Sequence, residues 1–190
     1  MKNKKNPLFS IITVVFNGEK YLEKTIQSVL SQSYKNFEYI IVDGGSTDGT
    51  LSIIKKYNKN ISKWISENDR GIYDAFNKGM RLSKGDFVCI VNSDDILKKN
   101  ALKIIRNYII KYPKIDFIFG SVKKHWGILH GYKPHKIKYS WGFYSSHSTG
   151  FFLKKSSAKK VGYYNIKYKY HADYDYFYRL IVKHKMKGIA

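Results

Sequence analysis

The run Leu8–Phe16, "LFSIITVVF", limits what this chain can become more than any other stretch. Only Ser10 and Thr13 interrupt a series of apolar, mostly β-branched residues. A strand with one wet face alternates, so a near-continuous run belongs to a strand covered on both faces. Covering both faces takes helices, and the sequence supplies them. Asn17–Gly18 ends the run, and "EKYLEKTIQSVLSQ" then places Leu22, Ile26, Val29 and Leu30 on one helical face. "FEYIIVDGG" reads as a second strand, and "STDGTLSIIKKY" as a helix with Ser, Thr and Asp available to cap it. "ISKWISE" is a third strand, followed by a helix through "GIYDAFNKGMRLS". "DFVCIVNSDD" is a fourth strand, "ALKIIRNYIIKY" an amphipathic helix and "IDFIFGSV" a further strand.

Strand–helix alternation over residues 1–120 predicts an α/β fold, a doubly wound sheet flanked by helices. Right-handed crossovers gather the strand ends along one edge, where such sheets bind ligands. Asn17–Gly18, Asp43–Gly44–Gly45 and Asn92 to Asp95 all follow strands and should converge there. Beyond residue 122 the pattern loosens into short aromatic segments, until a final helix begins near Ala172.

Bulk properties narrow the function. A chain of 190 residues suits one domain, and 43% hydrophobic content supports a real core. A single cysteine, Cys89 in an apolar run, excludes an internal disulfide and a cysteine-only zinc site. The start "MKNKKNPLFS" lacks the apolar stretch of a signal peptide, and no run reaches the roughly 18 apolar residues of a membrane span. The expectation is a cytoplasmic protein. Against 35 Lys and Arg stand 14 Asp and Glu, a formal net charge of +21. Such a surface favours polyanionic partners: nucleic acid, anionic lipid or phosphorylated small molecules. Compositional bias, with lysines solvating the surface, is the bland alternative.

In so basic a chain, the adjacent Asp94 and Asp95 are conspicuous. Paired carboxylates after a buried strand suit a hard divalent cation bridging a substrate's phosphates; they equally suit a helix cap. Asp43, at the end of the second strand, could accept hydrogen bonds from a ligand beside glycines that allow close approach, or could serve a tight turn. No G-x-G-x-x-G follows the first strand and no Walker loop occurs anywhere.

Together these segments carry a resemblance. "SIITVVFNGEKYLEKTIQSVLSQSYKNFEYIIVDGGSTDGT", "WISENDRGIYDAFNKGM", "GDFVCIVNSDD", "HSTGFFLKK", "VGYYN" and "HADYDYFYRL" resemble the family 2 glycosyltransferases, most of all the bacterial branch that builds surface polysaccharides. The resemblance implies a single-domain, GT-A-type doubly wound mixed sheet. Residues 1–120 would form its nucleotide-binding half and 121–190 its acceptor side. It also implies inverting transfer of a sugar, dependent on Mn²⁺ or Mg²⁺, from a nucleotide-sugar donor, a UDP-sugar first, to a saccharide or lipid-linked acceptor.

Position by position, Thr13, Phe16 and Asn17 match the loop contacting the base, and Asp43 the carboxylate that reads it. Arg70 stands near the basic position that touches base or phosphate. Asp94 is expected near the ribose, Asp95 on the metal ion, and Asp173 as the catalytic base. His147, Asp74 and Asp175 are candidates for acceptor or phosphate contact; the bland reading of Asp74 is capping. Glu67 and Asp69 precede a helix whose N-terminus carboxylates favour. Trp126, His130, Tyr132, His135, Tyr139 and Trp141 would line an acceptor groove or pack a satellite core.

Two departures from the family pattern stand out. Gly44 occupies a position where many relatives carry a second Asp, and the chain ends at "MKGIA" where relatives continue, so a shortened member is expected. The basic surface would suit peripheral contact with the anionic inner leaflet. Two alternatives remain open, an inactive nucleotide-binding fragment and a basic nucleic-acid-binding protein. Against the latter, no nucleic-acid motif is present, and acids clustered on the ligand edge would repel phosphate.

Overall fold

The computed structural model describes residues 6–125, 127–129, 137 and 148–190. The apolar run forms β1 (Phe9–Val15), buried at every position. It lies inside a seven-stranded sheet between β2 (Phe37–Asp43) and β4 (Phe87–Ile90), with β3 (Lys63–Ser66) beyond β2. These four strands are parallel, and Val15 of β1 sits opposite Asp43 of β2, which sits opposite Ser66 of β3. On the other side of β4 follow β8 (Phe151–Lys154), β5 (Phe117–Phe119) and β9 (Gly188–Ile189). β8 runs antiparallel to both β4 and β5, so the sheet is mixed, as expected. β6 (Val122–Lys124) and β7 (Gly127–Leu129) pair separately as an antiparallel ribbon.

Alternation along β1 divides the core. Ile12 and Val14 face α3 (Ile72–Leu82) and α6 (Ala172–Tyr178), packing with Ala75, Phe76, Met80, Tyr176 and Phe177. Phe9, Ile11 and Val15 face α1 (Leu22–Leu30), α2 (Thr50–Lys56) and α4 (Ala101–Lys111), packing with Leu22, Ile26, Ile54, Leu102 and Ile105. Buried on both sides, each such side chain contributes about 1.5–3 kcal/mol relative to exposure. Cys89 belongs to this second cluster, and burial pushes its thiol pKa up, as expected of a small buried hydrophobe.

Strand order reverses between β1 and β4, because β2 and β3 wind to one side while β4 lies on the other. That reversal opens a crevice at the carboxyl ends of the strands. The fourth strand is shorter than its sequence suggests. Pairing stops at Ile90, and Asn92 to Asp95 turn away, with the Asp95 amide donating to the Asn92 carbonyl at 3.0 Å. β8 and α5 (Lys155–Val161) lie where the sequence pattern loosens, and β9 follows the last helix; at two to seven residues each they are too short for periodicity to mark.

α3 approaches β1 so closely that a Cβ on Gly79 would overlap Cγ2 of Ile12 and lie 3.5 Å from its Cβ. Ile12 is wholly buried in mid-strand and cannot retreat. Gly79→Leu is therefore expected to destabilise the fold by about 1–3 kcal/mol or more, outweighing the ~1 kcal/mol gained in helix propensity. A urea midpoint equal to the parent's would contradict this packing.

Candidate active site

The loops after β1 and β2 are laced into one rim. Asn17, with φ of 50°, donates its amide to Ser46 Oγ at 2.8 Å and accepts the Thr47 amide on Oδ1 at 2.9 Å. The Gly18 amide donates to Thr50 Oγ1 at 2.9 Å, and the Gly49 amide to Glu19 Oε2 at 2.5 Å. Phe16 stands out from this rim, 64% exposed. Asn17 thus spends its side chain on the scaffold, while the Phe16 ring faces solvent.

Two expected donor contacts are corrected here. Thr13 is fully buried among the residues facing α1 and α2, and its hydroxyl is hydrogen-bonded to Tyr39 Oη at 3.0 Å. No ligand reaches it. Asp43 is also 0% exposed. Its Oδ2 accepts the amides of Gly45 (3.2 Å) and Ser46 (3.1 Å) and the Ser66 hydroxyl (2.7 Å), and its Oδ1 the Ser46 hydroxyl (2.5 Å). A buried carboxylate needs such donors to offset lost hydration. Asp43 builds the turn, with both of its oxygens engaged by the protein.

After β4 the turn is anchored on α1. Thr25 Oγ1 lies 2.8 Å from the carbonyl oxygens of both Ser93 and Asp95, donating to this pair. Asp94 is exposed, whereas Asp95 is half-buried and its Oδ2 accepts from Asn92 Nδ2 (3.0 Å) and Thr149 Oγ1 (2.5 Å). The capping alternative fails, because the next helix begins only at Ala101 with Asn100 before it. The turn presents two carboxylates at the rim instead.

Between β3 and α3, Asp74 is buried, and its Oδ2 accepts the Arg70 amide at 3.2 Å. Its oxygens also lie 3.6 Å from the Arg70 guanidinium and 3.9 Å from Lys78 Nζ. Asp74 therefore organises the start of α3 and offers nothing to an acceptor. The Arg70 side chain remains 74% exposed, able to reach a ligand.

α6 separates its two acids. Asp175 accepts Arg179 Nε at 2.9 Å, and that guanidinium also donates to the carbonyls of Val161 (2.7 Å) and Tyr163 (2.8 Å). Asp175 is thus a structural ion pair, which corrects its candidacy for substrate contact. Asp173 is exposed; its Oδ1 accepts the Tyr174 amide at 2.9 Å and the Tyr73 hydroxyl at 3.3 Å. Tyr73 lies in the first turn of α3, so this bond brings Asp173 to the strand-end edge. Tyr73, Asn92 and Thr149 all sit inside the quoted motifs, but contacts spanning 54 to 100 residues leave no sequence signal. His147 and the aromatic stretch of Trp126, His130, Tyr132, His135, Tyr139 and Trp141 lie outside the described residues.

Residues 10–176 match the model of "Glycosyl transferase family 2". The chain belongs to this family. A PGL/p-HBAD biosynthesis glycosyltransferase of Mycobacterium tuberculosis is 28% identical over 179 residues, covering 90% of this chain and 68% of that protein. Glycosyltransferase GlyG of Streptococcus pneumoniae is 35% identical over 117 residues, covering 60% of this chain and 38% of that protein. Among solved structures, residues 1–349 of S. aureus TarS in complex with UDP superpose with a TM-score of 0.78 at 24% identity. That match covers 90% of this chain and 54% of TarS 1–349. The mannosyltransferase PcManGT from Pyrobaculum calidifontis, in complex with GDP-Man and Mn²⁺, gives 0.77 at 19% identity, covering 99% of this chain and 55% of that one. The chain thus spans about half the length of these two solved structures, and the likeness establishes the expected GT-A fold.

For a family 2 chain the donor set at the Asp94–Asp95 turn is hard oxygen, which fits Mg²⁺ or Mn²⁺. Buried Asn92 Oδ1 has no hydrogen-bond partner among the described residues, and such an orphan acceptor beside Asp95 suits a cation or its water. No group of three or more His, Cys, Asp or Glu gathers among the described residues, so substrate phosphates would have to complete the coordination. Among the described residues no helix is long and apolar enough to cross a membrane.

Burial opposes the charge on Asp74, yet the Arg70 amide and the Lys78 and Arg70 cations outweigh it and hold its carboxyl below the usual range. A depressed folded pKa stabilises above the unfolded value, about 4, and this stability is lost as pH falls through the folded value. Asp74→Asn should lower the urea midpoint at pH 7 and flatten the acid limb of the stability–pH profile. An unchanged acid limb would count against the ion-pair role.

Proposed function

We propose that this family 2 chain transfers a sugar from a nucleotide-sugar donor, a UDP-sugar first, to a saccharide or lipid-linked acceptor of a surface polysaccharide, with inversion. The observation that carries the reading is the placement of Asp173. It is exposed and turned by Tyr73 toward the edge that also holds the Asp94–Asp95 turn. The neighbours described with UDP and with GDP-Man and Mn²⁺ support a nucleotide donor and a divalent ion. In this reading residues 1–120 hold the donor and 121–190 the acceptor side.

Phe16 offers an exposed ring to the base, Arg70 an exposed guanidinium to the phosphates, and Asp94 a carboxylate to the ribose. Asn92, Thr149 and Thr25 fix Asp95, which would hold the ion. When bound, the cation stabilises charge on the departing diphosphate. Asp173 takes the acceptor hydroxyl's proton as the new oxygen–carbon bond forms on the face opposite the leaving group. The bond from the anomeric carbon to the diphosphate oxygen breaks, and the nucleoside diphosphate leaves with the electron pair. Tyr73 keeps the base pointed at the acceptor. The charge of +21 would draw the protein to an anionic leaflet where lipid-linked acceptors reside.

Two substitutions separate binding from chemistry. Asp95→Ala should abolish the Mn²⁺-dependent rise in melting temperature with UDP, measured against the variant's own melting temperature without ligand. Asp173→Asn should keep that rise and lose roughly 10²–10⁴-fold in transfer from a UDP-sugar. Full transfer by Asp173→Asn would sink the base assignment. A panel in which no nucleoside diphosphate shifts the parent's melting point, even with metal, would sink the reading as a whole.

A further inference from the structure

We propose that Asp69 is the residue through which this site selects its nucleotide, its Oδ2 accepting a ring N–H of the base. The inference rests on the donor-binding reading above and deepens it.

With Asp43 sealed behind four hydrogen bonds, β2 itself presents no acceptor to a ligand. Gly44, the next residue, sits at the rim, its amide donating to the Val15 carbonyl at 2.9 Å and so lying level with Phe16. A Cβ on Gly44 would overlap Asp69 Oδ2 and lie 3.1 Å from Asp69 Cγ. The Asp69 carboxylate, delivered from the next loop, therefore fills the place that a side chain at position 44 would take. A carboxylate at both positions would put two anions in one space.

The loop holds this acceptor firmly. Asp69 Oδ1 accepts the Gly71 amide at 2.8 Å across a turn in which Gly71 has φ of 106°, a conformation open to glycine. Lys78 Nζ donates to the Asn68 carbonyl at 2.9 Å, and Asn68 Oδ1 is packed against Gly45 as Asp69 is against Gly44. Asp69 is half-buried. Among the described residues nothing donates to its Oδ2 and no cation lies within ion-pair distance, although the chain carries 35 Lys and Arg. Oδ2 is a preorganised acceptor with its bond still to make.

Chemistry names the ligand. A base stacked on the exposed Phe16 ring would present its Watson–Crick edge along the rim toward position 44. Uracil offers N3–H there, and guanine N1–H with an amino group. Cytosine and adenine offer a bare ring nitrogen whose lone pair faces the carboxylate. Asp69 thus selects nucleoside diphosphates whose base carries a ring N–H.

The test is calorimetric titration of UDP, GDP, CDP and ADP, each with Mn²⁺, into the parent chain, Asp69→Ala and Asp69→Asn. Gly44→Asp, alone and combined with Asp69→Gly, completes the set, with Mn²⁺–pyrophosphate as control. The parent should bind UDP or GDP roughly 10–100-fold tighter than CDP and ADP, the span of one hydrogen bond to a charged group. Asp69→Ala should erase that preference while pyrophosphate affinity and melting temperature hold. Gly44→Asp alone should weaken every nucleotide, and Gly44→Asp with Asp69→Gly should restore the preference. Parent-like selectivity in both Asp69→Ala and Asp69→Asn would overturn the proposal while leaving donor binding intact. A parent that binds pyrophosphate but no nucleoside diphosphate would overturn both.

Discussion

The loops after β1 and β2 and the end of β3 are anchored, directly or at one remove, on the buried carboxylate of Asp43. It gathers two amides and a hydroxyl from Gly45–Ser46 and a second hydroxyl from Ser66, tying the end of β2 to the end of β3. Ser46 then accepts the Asn17 amide, which brings in the loop after β1. These donors replace the water that the buried carboxylate gives up. These bonds join the loops into one rim, beside which the Asp69 carboxylate stands.

The scarcity of acids makes their division informative. Asp43, Asp74 and Asp175 are consumed inside the protein, by a turn, a helix start and an arginine clamp. Asp69, Asp94 and Asp173 are the counterparts that point outward, one from each of three loop regions on the same edge. Asp74 lies five residues from Asp69 and Asp175 two from Asp173. The pairing suggests how the site is made: one carboxylate builds the local frame, and its neighbour is thereby held ready for substrate.

Much of this was legible in the chain. The apolar runs at Leu8–Phe16 and Phe37–Asp43 and the helical face of Leu22, Ile26 and Val29 reproduce local periodicities, which need no tertiary information. So does the convergence of the loops, a consequence of right-handed crossovers. The division between Asp173 and Asp175 follows from helical geometry, since residues two apart point to different sides. By contrast, β8 and β9 are held in place by partners far along the chain and carry no period long enough to read. Thr13 is expected at the donor from the resemblance, and Asp43 also from its place at a strand end; depth in the fold, and the groups that meet them, show both side chains engaged internally.

What the sequence alone determined, then, is the alternation of strands and helices, the edge where function gathers, and the family. These follow from hydrophobic periodicity and from residues close together in the chain. Tertiary structure decided which carboxylates spend their charge internally and which keep it for a ligand. In the sequence Gly44 is only a departure from the family pattern; the fold shows Asp69, 25 positions later, standing in its place. A side chain's hydrogen bonds depend on what surrounds it in three dimensions, and no local pattern records that.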